Sequence, residues 1–485
     1  MFFSPPGMAP GFLWKIGFCV VCYTICGSLA AKPEVDPKRC LVWGPGLRSH
    51  FNVPVRYFFI QAVDKDGTNF TDSVGDEIFE LGVSGGNGER VRIRVDVLDR
   101  HDGVYIVRLK PYQAAENLQI SITWKGQHVA NSPYKIRGPI YQEKCYCPVQ
   151  NRTRWYEELG CPSSYQQIED DLAPFPKIDM EKVAPEAVYR KTHGTIIDFK
   201  MFVDAILLSL ARKVRLPDVE FFVNLGDWPL EQQKPEDGAI PIVSWCGSDS
   251  TLDIIIPTYD ITEATLEMLG RVTLDIFSVQ ANTGPKWPDK SQVAFWRGRD
   301  SRQERLQLAE LSQKHPDMID AALTNMFFFP KNEEKYGPNS KYQINVDGTV
   351  AAYRLPYLLA GDSVVLKQDS EYYEHFYKRL TPWEHYIPFK RDLSDLLDKI
   401  QWAREHDEEA QKISKNAQEF VRENLHPAEI LCYHVKVFEE ISKRLTKKPV
   451  ATEGFELLEH PTDKFDSVCE CKRLKKTAGK KRDEL

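Results

Sequence analysis

Phe295-Trp296-Arg297-Gly298-Arg299-Asp300-Ser301-Arg302-Gln303-Glu304-Arg305 puts four arginines into nine positions of a 485-residue chain whose formal net charge is −7. Val293 to Trp296 leads in as an apolar run that reads as a buried strand. Gly298 permits a turn, and Ser301 is placed to cap a helix carrying Glu304, Leu306, Leu308 and Leu311. A strand that ends in a glycine turn and a helix N-terminus presents unpaired backbone N–H groups to an anion. Arginine forks add charge-assisted, often bidentate bonds to phosphate oxygens. The competing reading is a solvated helix start, salt-bridged through Asp300 and Glu304.

Around this stretch, strands alternate with helices. Phe199, Phe202, Val203, Ile206 and Leu210 share one helical face, with Arg212 and Lys213 in the last turn. Strands are predicted at Val219–Leu225, Asp253–Ile256, Ala321–Phe329, Ser363–Leu366 and His385–Pro388. Helices are predicted at Glu263–Ser278, Leu393–Arg404 and Glu408–Glu423. The alternation argues an α/β fold with parallel sheets, and residues 177–450 suffice for two sheets facing across a cleft, hinged near 285–290.

Ligands of open parallel sheets gather at the carboxyl ends of strands. Gly226-Asp227-Trp228-Pro229 directly follows one such strand. A carboxyl beside an indole loses water, gains proton affinity and becomes a better general base, although Asp227 alone also fits an ordinary turn. A second loop, Asn345-Val346-Asp347 followed by Gly348-Thr349-Val350-Ala351-Ala352-Tyr353-Arg354, is small enough for close backbone approach and ends in another phosphate-pairing fork. Close packing of a helix start on the sheet explains the same residues. Between Ile178 and Val450 there is no Asp-x-Asp pair of the kind that holds a metal on a nucleotide diphosphate. The arginines would have to neutralise such a ligand themselves.

From Arg39 to Gly138 the pattern has period two: Val53, Val55, Tyr57 and Phe59; Val91, Ile93, Val95 and Val97; Leu118, Ile120, Ile122 and Trp124. Turns at Asp66-Gly67, Gly85-Gly86 and Asp102-Gly103 separate the runs, which predicts an antiparallel sandwich over 38–138. Residues 139–176 read as a cysteine-bearing connector, and 451–485 as a polar tail.

The ends of the chain point to one compartment. Gly11 to Ala31 is largely apolar, interrupted by Lys15, and closes on Ser28-Leu29-Ala30, which predicts a secretory signal peptide over 1–30 rather than a stable membrane span. Arg482-Asp483-Glu484-Leu485 is a close variant of the endoplasmic-reticulum retrieval signal, so a lumenal protein and a retrieval-receptor partner are expected. The negative balance argues against nucleic acid as a partner. Removing Cys19, Cys22 and Cys26 with the signal leaves Cys40, Cys145, Cys147, Cys161, Cys246, Cys432, Cys469 and Cys471, an even set for disulfides whose pairing is not readable from spacing. Asn69 and Asn151 head glycosylation sequons.

Two resemblances follow. Gly44-Pro45-Gly46-Leu47, Asp99-Arg100-His101-Asp102-Gly103-Val104-Tyr105 and Gly126 to Tyr134 resemble a filamin-type immunoglobulin repeat, which implies recognition through a sheet edge or a spacer. Asn224 to Trp228, Phe295 to Arg305, Asp347 to Arg354 and Trp383-Glu384-His385-Tyr386-Ile387-Pro388 resemble the protein O-glucosyltransferase family. That resemblance implies a GT-B fold of two Rossmann-like halves, UDP-glucose as donor, no required metal or other cofactor, and inverting transfer to a serine of an EGF-like repeat. It implies Asp227 as base, and Arg299, Arg305 and Thr349 to Arg354 against the donor; Arg299 stands where some members carry a smaller polar residue. Arg297 and Gly348 complete the candidate donor site. It also implies that Cys432 pairs with Cys145 or Cys147, with Cys161 taking the other, and gives Cys246 no partner. A lumenal binding protein with a relic transferase domain, or a xylosyltransferase, is the alternative. Relative to the family the chain is short near Val183–Thr192 and between Gly337 and Lys341, where a parallel crossover needs about 10–12 residues.

Overall fold

The computed structural model describes residues 34–75, 79–180, 199–233, 239–267, 275–325 and 340–450. The predicted signal peptide, the retrieval signal, Cys469, Cys471 and both short connectors up to residue 339 lie outside the described residues.

The N-terminal strands form a sandwich. One antiparallel sheet runs in the order Leu41–Trp43, Arg56–Gln61, Val104–Pro111, Ile93–Asp99. The other places Gln119–Trp124 between Glu80–Ser84 and the short strands Gln127–His128 and Tyr134–Lys135. Phe58, Ile60, Tyr105, Val107, Leu118, Ile120, Ile122 and Trp124 fill the space between the sheets. The period-two reading of Leu118–Trp124 therefore holds. Tyr57 and Phe59 face the other way, onto the α/β portion, which buries the outer face of their strand as well.

The α/β portion contains two parallel sheets, as the alternation predicted. The smaller has the order Phe222–Val223, Ile242–Ser244, Ile254–Ile255. The larger has the order Ile319–Asn325, Ala294–Arg299, Tyr342–Asn345, Val364–Gln368, Ile387–Phe389. Two of these strands, Ile242–Ser244 and Tyr342–Asn345, escaped the sequence reading. They span only three and four residues, Ile-Val-Ser and Tyr-Gln-Ile-Asn, too short to show a period.

Several helices differ from expectation. The arginine stretch caps its helix at Arg302, not Ser301, and the helix runs Gln303–Lys314. In place of one helix over Glu263–Ser278 there are Tyr259–Glu267 and Ile276–Ala281, the second capped by the Asp275 carboxylate, which accepts from Ser278 N at 3.0 Å. Residues 139–176 are more than a connector: helices Arg152–Leu159 and Gln166–Leu172 put Trp155, Leu159, Ile168 and Leu172 into the core under the smaller sheet. Arg212 and Lys213 occupy the last turn of the helix Lys200–Lys213, as predicted, and are buried against Glu143, with Arg212 3.0 Å from its carboxylate. The long helix Pro427–Arg444 closes the same core with Leu431, Val435, Phe438 and Ile441. Among the described residues no helix is long and apolar enough to cross a membrane.

The disulfide pairing needs correction. Cys432 joins Cys161, not Cys145 or Cys147, which are themselves disulfide-bonded. The helix carrying Cys432 packs on the helices that flank Cys161, and that packing sets the pairing. Cys246 is free and buried, as the family reading implied, and Cys40 is free and buried too. Asn69 and Asn151 are exposed, and Asn151 caps its helix through Oδ1, which leaves the amide nitrogen outward.

Candidate active site

The carboxyl ends of both sheets open on one cavity of about 300 Å³. Asp227 reaches it just beyond the Phe222–Val223 strand, and Tyr259 and Asp260 just beyond Ile254–Ile255. Arg299 and Thr324 come from strand ends of the larger sheet, and Gly348 to Arg354 from the loop after Tyr342–Asn345.

Asn224 builds the Asp227 turn. Its buried amide accepts from Gly226 N at 2.9 Å and donates to Trp228 O, so the chain doubles back and swings Asp227 toward the cavity. Tyr259 OH donates to Asp227 Oδ1 at 3.3 Å, and Cys246 Sγ sits 3.4 Å from its carbonyl oxygen. Burial pushes the Asp227 carboxyl above its ordinary range, against the opposing pull of the Tyr259 hydrogen bond and the Arg299 charge. The expected desolvation by Trp228 is not the cause, because that indole is 52% exposed and lies edge-on to Tyr372. Asp260, one residue beyond Tyr259, is also raised, by burial first and by Asp227 second.

The opposite wall is cationic. The register of the Ala294–Arg299 strand shifts between Gly298 and Arg299, and the resulting bulge turns Arg299 out to an exposed place on the lining. Arg305 is buried, with Nε donating to Asp347 O at 2.7 Å, one terminal nitrogen to Arg299 O at 3.0 Å and the other to Val346 O at 3.2 Å. Burial and the neighbouring arginines, Arg354 foremost, draw its pKa down to about 9. Arg354 donates to Arg297 O, and its guanidinium and that of Arg305 both lie over the Trp296 ring, at 5.9 and 5.5 Å. Gly298 has to be glycine here: a Cβ would come within 2.6 Å of Trp296 and 3.0 Å of Arg354. Asp347 anchors the loop, accepting at its carboxylate from Ser370 Oγ and donating its N–H to Gln368 Oε1 at 3.0 Å.

Asp227, Arg299, Arg305 and Gly348 through Arg354 thus come together as lining residues. Arg297 does not. It points to the far side of the sheet, bonds the Asp320 carboxylate at 2.9 Å and lies over Phe295. The period-two alternation of the strand places it opposite Trp296. Tyr259, Asp260 and Thr324 line the cavity without having been singled out. Tyr259 and Asp260 follow the apolar run Ile254–Ile256, so the strand-end rule that found Asp227 applies to them equally.

Chemically, the cavity sets a raised carboxyl against an arginine wall with a close-packed loop between them. An anionic leaving group fits the arginine side, and a hydroxyl to be deprotonated fits the acidic side.

A family model described as "Glycosyl transferase family 90" matches residues 156–477, and one described as "Filamin/ABP280 repeat" matches residues 34–135. Protein O-glucosyltransferase 2 of Danio rerio is 49% identical over 477 residues, covering 92% of this chain and 94% of that protein. Protein O-glucosyltransferase 3 of Homo sapiens is 47% identical over 484 residues, covering 92% of this chain and 95% of that protein. Protein O-glucosyltransferase 1 of Rattus norvegicus is 30% identical over 322 residues, 59% of this chain and 81% of that protein.

Proposed function

The chain belongs to glycosyl transferase family 90, and from that premise we propose that it is a protein O-glucosyltransferase, moving glucose from UDP-glucose to a serine hydroxyl of EGF-like repeats in the lumen of the endoplasmic reticulum. One observation carries the reading: Asp227 and the arginine pair Arg299 and Arg305 line the same cavity at the carboxyl ends of two parallel sheets. Two such sheets are what a GT-B fold of two Rossmann-like halves requires, and the cleft between halves is where that fold holds its donor.

In this mechanism Asp227 takes the serine proton as the oxygen attacks the anomeric carbon from the face opposite UDP, which inverts that centre. The bond from the anomeric carbon to the diphosphate oxygen breaks, and its electron pair leaves with UDP. Arg299 meets the diphosphate directly. Arg305 and Arg354, held in place before the substrate arrives, stabilise the charge that grows on it, so the protein supplies the countercharge without calling on a metal. Tyr259 holds the carboxylate in line and keeps it ionised.

Incubating the protein with UDP-glucose and a folded EGF-like repeat, then weighing the repeat, tests the whole reading; UDP-xylose in a parallel reaction tests the donor. A mass increase of one hexose is expected. Asp227→Asn, which keeps shape and loses basicity, should cost at least about 10²-fold in kcat with UDP affinity retained. Near-normal transfer by that variant removes Asp227 from the mechanism.

A further inference from the structure

The indole beside the base is exposed without being loose. Trp228 is 52% exposed and Leu230 42%, while Pro229 between them is buried, so both large apolar side chains stand on the outward side of the segment. Neither lines the cavity itself; they lie outside it, one and three positions beyond Asp227. Buried polar groups fix the backbone at both ends of this segment. Asn224 donates to Trp228 O and accepts from Gly226 N at 2.9 Å. The Asp253 carboxylate, 2% exposed, accepts from Leu230 N at 2.9 Å, from Glu231 N at 2.8 Å and from Ser244 Oγ. Pro229 removes one further rotation. The Trp228 ring meets Tyr372 edge-on with centroids 6.3 Å apart, and Tyr372 lies under the Arg302 guanidinium at 5.1 Å, itself paired with Glu371 at 3.4 Å. Apolar groups held still in water have little freedom left to lose when a partner covers them, which favours docking there.

We propose that Trp228 and Leu230 form the surface on which the protein acceptor docks, and that Trp228 is a determinant of acceptor specificity. The inference rests on Asp227 being the base. A cavity of about 300 Å³ takes in the serine of a folded protein and a little of its backbone, never the body of it. The body has to rest on the rim, and with the donor on the arginine wall the Asp227 side is the one left open. Trp228 is the first residue there outside the cavity. The partner is defined by that chemistry: an apolar patch, aliphatic, aromatic or disulfide, immediately beside the hydroxyl to be modified. An indole adds one N–H donor at its edge for a backbone carbonyl of the same partner. A second copy of this chain seated on the patch would bar the hydroxyl from Asp227, so the acceptor is the occupant that the position admits.

The test compares wild type, Trp228→Ala, Trp228→Phe and Leu230→Ser in steady-state transfer to one folded EGF-like repeat, with UDP affinity measured by calorimetry. Trp228→Ala should raise KM for the repeat about 30-fold, the loss of an interface hot spot. Its kcat and UDP affinity should hold, as expected when binding shared by ground and transition states is removed. Trp228→Phe, which keeps an aromatic face on the rim, should recover most of the loss. Leu230→Ser, further from the base, should raise KM about fivefold in the same way. An unchanged KM in Trp228→Ala overturns the proposal, and a lower melting temperature in that case means that the indole packs on its own chain. A fall in kcat with KM unchanged overturns it as well, because the indole then acts on Asp227 and not on the acceptor. If Trp228→Ala does not fold, Leu230→Ser decides alone, and an unmoved KM there refutes the idea. Two controls separate the levels. A wild type that adds no hexose to the repeat, or an Asp227→Asn that still does, refutes the reading beneath the proposal and the docking surface with it. Normal wild-type transfer, an inactive Asp227→Asn and unmoved KM values refute the docking surface alone.

Discussion

Arg305 bonds three backbone carbonyls, of Arg299, Val346 and Asp347, from two different strand ends. It therefore builds the donor loop as well as charging it, and Gly348 permits this, since a Cβ there would stand 3.0 Å from the guanidinium. Arg305→Lys keeps the charge and loses the fork, so two or more buried carbonyls go unpaired at about 1–3 kcal/mol each. Calorimetric titration should show UDP affinity reduced at least about tenfold, the equivalent of 1.4 kcal/mol, together with a lower melting temperature. Unchanged affinity would assign Arg305 a purely electrostatic role. The sequence pointed to Arg305 through its position in an arginine-rich helix start, yet read it as a phosphate contact; that it turns inward depends on where the Asn345 strand end lies, which no local pattern encodes. Arg297 failed for a related reason. Spacing along a strand gives the face of a side chain only once the strand's limits are known, and Arg297 lies on the face away from the cleft.

At the scale of elements, what was legible followed from chemistry that is local in the chain. The arginine stretch is a strand and a helix, and the glycine turns separate the sandwich strands, because apolar period and turn residues act within a few positions. What was missed is held by distant partners. The helix Pro427–Arg444, unplaced from sequence, is buried all round over its first turns, largely by residues from 155 to 277, and its polar stripe of Lys436, Glu439, Glu440 and Lys443 begins only in its second half. Residues 139–176 read as a connector for the same reason, since Trp155, Ile168 and Leu172 find their partners on that helix and beneath the smaller sheet. The Cys161–Cys432 bond ties the two regions across 271 positions. Replacing both cysteines with alanine should cost about 2–5 kcal/mol, the usual loss for a native bridge. Urea unfolding under non-reducing conditions measures it. A loss below about 1 kcal/mol would mean that packing alone holds the helix.

At the scale of the whole molecule, the sandwich is joined to the transferase by contacts of a kind that domains connected like beads do not make. Arg108, on the Val104–Pro111 strand, is 5% exposed at its side chain and pairs with Asp275 at 2.8 Å, itself 3% exposed. Asp275 caps the Ile276–Ala281 helix, and Phe277 of that helix packs against Tyr57 and Phe59, with ring centroids 4.9 and 6.2 Å apart. Tyr57 OH meets His426 Nδ1 at 3.1 Å, and Arg422 reaches Asp102 at 3.4 Å. Ile276 shares a cluster with Leu355 and Leu359, on the helix that begins directly after Arg354 of the donor loop. The sandwich thus supports the element on which the donor loop rests. Arg108→Met leaves Asp275 charged and unpaired in the interface, so stability should fall by about 3–5 kcal/mol. Adding Asp275→Asn should recover part of the loss, because the uncompensated charge goes with it while the cap to Ser278 N is kept. Unfolding followed by sandwich and transferase tryptophans, Trp124 and Trp296, should remain one coincident transition in the wild type, since the two portions share buried surface. In Arg108→Met, UDP affinity should weaken along with stability, because the loosened helix lies behind the donor loop. Two separate wild-type transitions, or a variant that binds UDP as tightly as the parent, would make the sandwich a passenger on the enzyme instead of a part of it.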